Sequence, residues 1–182
     1  MTAWTTISIN LTRRRKTRSD STNSNDAIVI ERTFDAPVDL IWQMWTQAEH
    51  FKKWYGPKGF TVPVAEMDVR VGGKRLICMA SPDGSMKMWF TGEYREVVPN
   101  ERLVYTDSMA DEHGHVVVPS ALGMPDDHPA TTEVTVLLED IGGYTKMVMT
   151  HAGVPADSGG AGGWAQAFDK MADHIETVLN DE

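Results

Sequence analysis

Between Trp54 and Arg102 apolar and polar side chains alternate with period two, and turn residues cut the alternation into short runs. Gly72-Gly73 and Pro82-Asp83-Gly84 supply hairpin chemistry, because glycine accepts a positive φ and proline presets the first corner. Val98-Pro99-Asn100 divides the next two runs. The pattern predicts strands near 61–69, 74–80, 86–97 and 101–108, folded as an antiparallel meander. A first strand precedes them in AIVIERTF, Ala27 to Phe34. Two more follow near 131–139 and 144–152, joined by Ile141-Gly142-Gly143.

Elsewhere the period changes to that of a helix. Val38, Ile41, Trp42 and Trp45 fall on one stripe, with Asp35 expected as the cap and Pro37 in the first turn. Thr46-Gln47-Ala48-Glu49 has capping-box spacing and predicts a second short helix carrying Phe51 and Trp54, ended by Gly56-Pro57. After a glycine-rich stretch from Pro155 to Gly163, the residues Trp164, Phe168, Met171, Ile175, Val178 and Leu179 form one continuous helical face. The order is strand, two short helices, six strands, one long helix. It predicts an α+β domain: a seven-stranded curved antiparallel sheet with the C-terminal helix packed over it. A helix lying across a strongly curved sheet is expected to leave an enclosed apolar cavity.

Strand parity nominates the lining of that cavity. Met88, Phe90 and Tyr94 share a face with Met86 and Gly92, opposite Lys87, Trp89, Thr91, Glu93 and Arg95. Met147 and Met149 share a face with Thr145 that ends at His151. Tyr105 lies in a third row with Leu103 and Asp107, Met79 on a further strand, and Trp164 and Phe168 face them from the helix. These residues are the candidate contacts for a small hydrophobic molecule, since thioethers fill irregular space and tolerate varied guests. The competing reading is that they form a packed core. His151, Tyr94 and Asp107 are the polar ends of the rows, suited to orient a headgroup or to act as an acid–base pair on a carbonyl. No nucleophile–base motif surrounds them, so no catalytic residue is assigned and a non-enzymatic role is expected.

Charge divides the chain. Residues 1–26 hold five of the 17 basic and two of the 26 acidic side chains, a net +3; the remaining 12 and 24 leave the body at −12. The first stretch contains Arg13-Arg14-Arg15-Lys16-Thr17-Arg18 and few large apolar groups. It reads as a disordered arm, with a transit-peptide-like segment and a basic tether as alternatives, ahead of one domain over 27–180. An acidic body repels nucleic-acid phosphates, and no apolar stretch is long enough for a membrane span, so neither partner is expected. One cysteine, Cys78, excludes an intramolecular disulfide and fits a reducing, cytoplasmic setting as monomer or homodimer.

Residues 109–130 hold three prolines, two glycines and three of the six histidines without a period, and read as a lid loop. Asp111, Glu112, His113, His115, Asp126, Asp127 and His128 are metal-ligand types, but no helix or strand fixes their geometry, and no metal is expected. There is no GxxxxGK[ST] and no GxGxxG between a strand and a helix, so no cofactor is expected.

An ordered set of short motifs resembles the SRPBCC/START-like helix-grip superfamily, which includes the lipid-transfer START domains and the birch-pollen allergen. The set comprises DAPVDLIW at 35–42, WYGP at 54–57, GF at 59–60, DVRVGG at 68–73 and MASPDG at 79–84. It continues with GEYREVVPNERLVYTDS at 92–108, VVVPSALGM at 116–124, and GW followed by FDKMADHI at 163–175. Within the superfamily the chain is similar to the C-terminal domain of the heat-shock-protein-90 ATPase activator, the AHSA type, with Phe168 and Met171 where such relatives carry leucine. The resemblance implies the helix-grip fold. It also implies, as alternatives to ligand binding, a chaperone as partner in ATPase regulation, or a small cyclase, dehydratase or hydrolase acting in the same cavity.

Overall fold

The computed structural model describes residues 26–181. The basic arm and the readings attached to it lie outside the described residues, Asp26 excepted. The chain order is β1 (Ala27–Phe34), α1 (Val38–Thr46), α2 (Ala48–Trp54), β2 (Thr61–Met67), β3 (Lys74–Ala80), β4 (Lys87–Val98), β5 (Arg102–Ala110), β6 (Thr132–Asp140), β7 (Thr145–Ala152) and α3 (Gly159–Asn180). The strands form one antiparallel sheet of order β1-β7-β6-β5-β4-β3-β2. β2 to β7 are the meander that the turn residues predict, and β1 closes onto β7. No helix among the described residues is long and apolar enough to cross a membrane.

Three local details depart from the sequence reading. Pro37, not Asp35, is the N-cap of α1, without a side-chain cap bond. The capping box does not form: Gln47 caps α2, and the Thr46 hydroxyl donates back to the Trp42 carbonyl at 2.8 Å. The hydroxyl finds an acceptor one turn behind it before the new helix offers a donor. Helix α3 begins at Gly159, inside the glycine-rich stretch that the periodicity places ahead of the helix. Gly160 lies close against Ile28 and Val154, and a Cβ there would come within 3.2 Å of the Ile28 side chain, so a small residue allows the helix to approach β1. The 109–130 segment is partly ordered, with an Ala110–Val116 bridge and a 3-10 turn over Pro119–Leu122.

The helices cover the concave face with aromatic rings. Trp45 from α1, Trp54 from α2 and Phe168 from α3 meet with centroids 4.8–6.0 Å apart. Full burial of each such side chain contributes about 1.5–3 kcal/mol. Polar ties hold α3 at both sides. Arg32 of β1 pairs with Asp169 at 2.8 Å, and the Lys170 ammonium donates to the carbonyls of Tyr55, Gly56, Pro57 and Phe60 at 3.1–3.2 Å.

Candidate functional site

The predicted lining residues come together on the concave face. Tyr94, Tyr105, Met147, Met149 and Phe168 are at most 2% exposed, while Met79, Trp164 and His151 are at 8–9%. Met88 and Phe90 are partly buried against the same cluster. The sequence reading leaves a hollow beneath α3. Here side chains meet across that space: Trp164 lies 5.6 Å from Phe168, 6.0 Å from Trp45 and 5.8 Å from Tyr55, centroid to centroid. A groove of about 620 Å³ lies instead on the outer face of the sheet, rimmed by Lys74, Thr91, Glu93, Ser108 and His113. Large rings on all three helices converge where the pattern alone shows only that each helix has an apolar side.

At one end of the face His151 is fully engaged. The Trp164 indole N–H can only donate, so the His151 Nδ1 accepts it, at 3.0 Å. The neutral ring then carries its proton on Nε2, which donates to the Thr132 hydroxyl at 2.8 Å. That hydroxyl donates in turn to the Asp107 carbonyl at 3.0 Å. Burial, helped by the nearby Arg75 charge, pushes the His151 pKa down to about 4, so the ring is neutral around pH 7. With both nitrogens committed, His151 is a strut between sheet and helix.

Beside it lies a charge that the sequence reading missed. Arg75 is 2% exposed and points inward with Ile77 and Met79 from β3. Its guanidinium sits 3.9 Å over the Tyr105 ring and 5.6 Å from that of Phe51. Arg75 Nη1 donates to the Asp107 carboxylate at 3.2 Å. Arg32 Nε, Arg75 Nε and the Tyr94 hydroxyl are the buried side-chain atoms without a hydrogen-bond partner among the described residues, and the Tyr94 hydroxyl faces the Arg75 guanidinium. The register partner of Arg75 on β4 is Gly92, where a Cβ would stand 3.4 Å from the arginine stem, in ordinary contact. A Cβ on Gly92 would overlap the Thr106 carbonyl oxygen. The β4–β5 ladder pairs Thr91 with Ser108 and Tyr94 with Tyr105 but skips the residues between, and Glu93 N–H donates to the Thr106 hydroxyl. The signal for Arg75 was available: it holds the inner parity of β3, opposite the one glycine in the inner row of β4.

The electrostatics follow from burial. Desolvation, partly offset by Arg75, pushes the Asp107 carboxyl up to about 6. Burial likewise raises the hydroxyls of Tyr55, Tyr94 and Tyr105, which stay protonated. The cluster therefore holds one cation, one readily protonated carboxylate, and two unused hydrogen-bonding atoms. It sets these polar groups among apolar side chains and contains no nucleophile.

Outside this cluster, Asp111 accepts from the backbone N–H groups of His113 and His115 at 2.9 Å, and its carboxyl meets His115 Nδ1 at 3.0 Å. Among the described residues no three His, Cys, Asp or Glu side chains gather to hold a metal ion. Cys78 is 1% exposed, and burial raises its pKa, as expected of an inert thiol.

Comparison with known proteins places these features in a family. The model described as "Activator of Hsp90 ATPase homolog 1-like protein" matches residues 35–179. None of the curated proteins matches the chain. A crystal structure of a protein from Chromobacterium violaceum is 25% identical, covering 83% of this chain and 97% of that one, with a TM-score of 0.68. A solution structure from Arthrobacter aurescens is 24% identical over 87% and 90% of the two chains, with a TM-score of 0.70. The AHSA1 protein from Silicibacter pomeroyi is 18% identical over 83% and 98%, with a TM-score of 0.66.

Proposed function

This chain belongs to the Activator of Hsp90 ATPase homolog 1-like family, and we propose that it is a binding domain for a small hydrophobic molecule held between the sheet and α3. The observation that carries the proposal is the pair of buried, unpartnered polar atoms, Arg75 Nε and Tyr94 Oη. Buried polar groups are nearly always hydrogen-bonded, and one left unmade costs about 1–3 kcal/mol. The Tyr94 hydroxyl faces the Arg75 guanidinium, and a guest's polar end would complete the bonds that these two groups leave unmade. The guest's apolar part displaces flexible side chains, of which Met79, Met88, Met147 and Met149 border the same face. The reading extends to a cytoplasmic location, supported by the single, buried Cys78.

An apolar fluorescent probe titrated into the folded chain tests this. Saturation at one probe per chain, lost in Met88→Trp while near-UV circular dichroism stays native, is the expected result. Absence of binding to natively folded protein overturns the proposal. The family description supports a second reading, regulation of a chaperone ATPase. A pulldown with the purified chaperone, with and without nucleotide, decides it. The cyclase, dehydratase or hydrolase alternative has less support, because His151 has no free nitrogen for acid–base work.

A further inference from the structure

Resting on the interior site proposed above, we infer that the guest ends in a carboxylate, and that Asp107 gives up Arg75 to it by taking up a proton. The first argument is the donor count. A guanidinium carries five N–H donors, and here Asp107 accepts from one nitrogen only, at 3.2 Å. Arg75 Nε is unpartnered, and so is the Tyr94 hydroxyl beside it. Paired arginines and carboxylates favour two parallel bonds, a geometry that Asp107 does not reach. What the site lacks is an acceptor with two oxygens, and an ionised carboxylate is acceptor-only. Arg75 and Tyr94 are 2% and 1% exposed, so water does not compete freely for these donors.

The second argument is charge. Arg75 and Asp107 together are neutral. Adding a carboxylate would leave one net negative charge in a low-dielectric interior, which is strongly disfavoured. Neutralising Asp107 removes that excess and frees the guanidinium. The groups facing Asp107 leave it as the proton acceptor. They are Arg75 from β3, Tyr105 on β5 itself and Tyr55 after α2, with Tyr94 of β4 and Asp68 beyond Arg75; Thr132 from β6 bonds the Asp107 backbone carbonyl and links it to His151 of β7, and α3 presents the Trp164 indole, itself bound to His151. The tyrosines stay protonated, and His151 gains a proton only near pH 4. Asp107, with its carboxyl raised to about 6, can take one up close to neutrality.

Calorimetric titration of the whole chain with decanoate and, separately, 1-decanol provides the test. Between about pH 6 and about pH 8 the Kd for decanoate should weaken about tenfold per pH unit, the signature of one proton taken up. The Kd for decanol should stay level. Asp107→Asn should flatten the decanoate profile, Tyr94→Phe should weaken decanoate about fivefold, and Arg75→Gln about tenfold or more. If decanol binds while decanoate does not, or if decanoate binds with no pH dependence, the carboxylate inference is overturned and the hydrophobic site stands. If neither probe binds to folded protein, the interior-site reading falls and this inference with it. Should Arg75→Gln fail to fold, the pH slope of the unsubstituted chain and the Tyr94→Phe variant still decide.

Discussion

Two buried polar groups on the concave face, His151 and Arg75, are treated in opposite ways. His151 spends both ring nitrogens, one on the α3 indole and one on a strand hydroxyl. Arg75 is more deeply buried and carries a full charge, yet leaves Nε without a partner, next to an equally idle tyrosine hydroxyl. Both sit in a sheet whose strands were set by the same alternation. A buried polar group with all its bonds made is explained by the fold. Arg32 Nε is unpartnered as well, although that arginine ties β1 to α3, so a missing bond alone does not mark a binding point; Arg75 differs in lying over the inner-face ring of Tyr105 beside a carboxylate that burial makes readily protonated.

The largest effect should come from breaking the Arg75 side of the comparison. Asp107→Ala leaves a buried guanidinium without its counter-charge and is expected to destabilise the chain by about 3–5 kcal/mol, read from urea unfolding. Replacing both partners with apolar groups, Arg75→Met with Asp107→Leu, should recover most of that loss. Such a recovery means that the pair is kept for a reason other than stability. If the double variant is as unstable as the single one, the pair is structural, like His151.

A second effect sets the two groups against each other through pH. Asp107 has its carboxyl raised from 3.8 to about 6 on folding, so the folded state binds its proton more tightly than the unfolded state does. Its contribution to stability therefore falls as pH rises from about 4 to about 6, by about 3 kcal/mol for a shift of this size. His151 has its pKa lowered from 6.5 to about 4, so the unfolded state binds the proton better. Its contribution is fully present above about 6.5 and is lost as pH falls toward about 4. The two slopes oppose each other over nearly the same window. Asp107→Asn should unmask the histidine, making stability fall on acidification more steeply than in the unsubstituted chain. His151→Gln should unmask the aspartate and tilt the difference the other way. Reading differences from the unsubstituted chain cancels the exposed carboxylates Asp83 and Asp111, whose pKa values are also lowered. Parallel profiles in all three proteins would sink the assignment.

A smaller effect concerns how α3 is held above both groups. Lys170→Ala removes an ammonium shared by four loop carbonyls and should cost about 1–3 kcal/mol, checked by thermal unfolding. Lys170→Arg should not restore it, since a planar fork does not reproduce a compact point charge.

The fold was legible because its determinants are local. Gly72-Gly73, Pro82-Asp83-Gly84 and Pro99-Asn100 each specify a turn by their own backbone preferences, and Asn100 does adopt a positive φ, of 64°. The caps were less legible, because a hydroxyl such as that of Thr46 chooses among neighbouring backbone groups by fine geometry. The inner face was readable as a list from parity, and the ten nominated residues do gather there. What parity does not encode is who bonds to whom. His151 reads as a headgroup contact from parity, yet its bonds go to Trp164 and Thr132 on the two elements that flank β7 in the chain. Arg75 holds the inner parity of β3, but nothing local shows that the rings of Tyr105 and Phe51 receive its charge.

The smallest effect is the sharpest. Tyr94→Phe deletes a hydroxyl that has no partner, so stability should stay within about 0.5 kcal/mol of the unsubstituted chain, or rise slightly as a desolvation cost is removed. A tyrosine hydroxyl that matters to the fold would cost about 1 kcal/mol or more when deleted, because its partner would be stranded. The same substitution should slow nothing in folding, since the ring and its edge contact with Tyr105, at 5.9 Å, are kept. Guest binding is then the one property left for the hydroxyl to influence. A stability loss of about 2 kcal/mol in Tyr94→Phe, measured by urea unfolding, would place Tyr94 with His151 among the struts and erase the contrast between the two neighbouring groups.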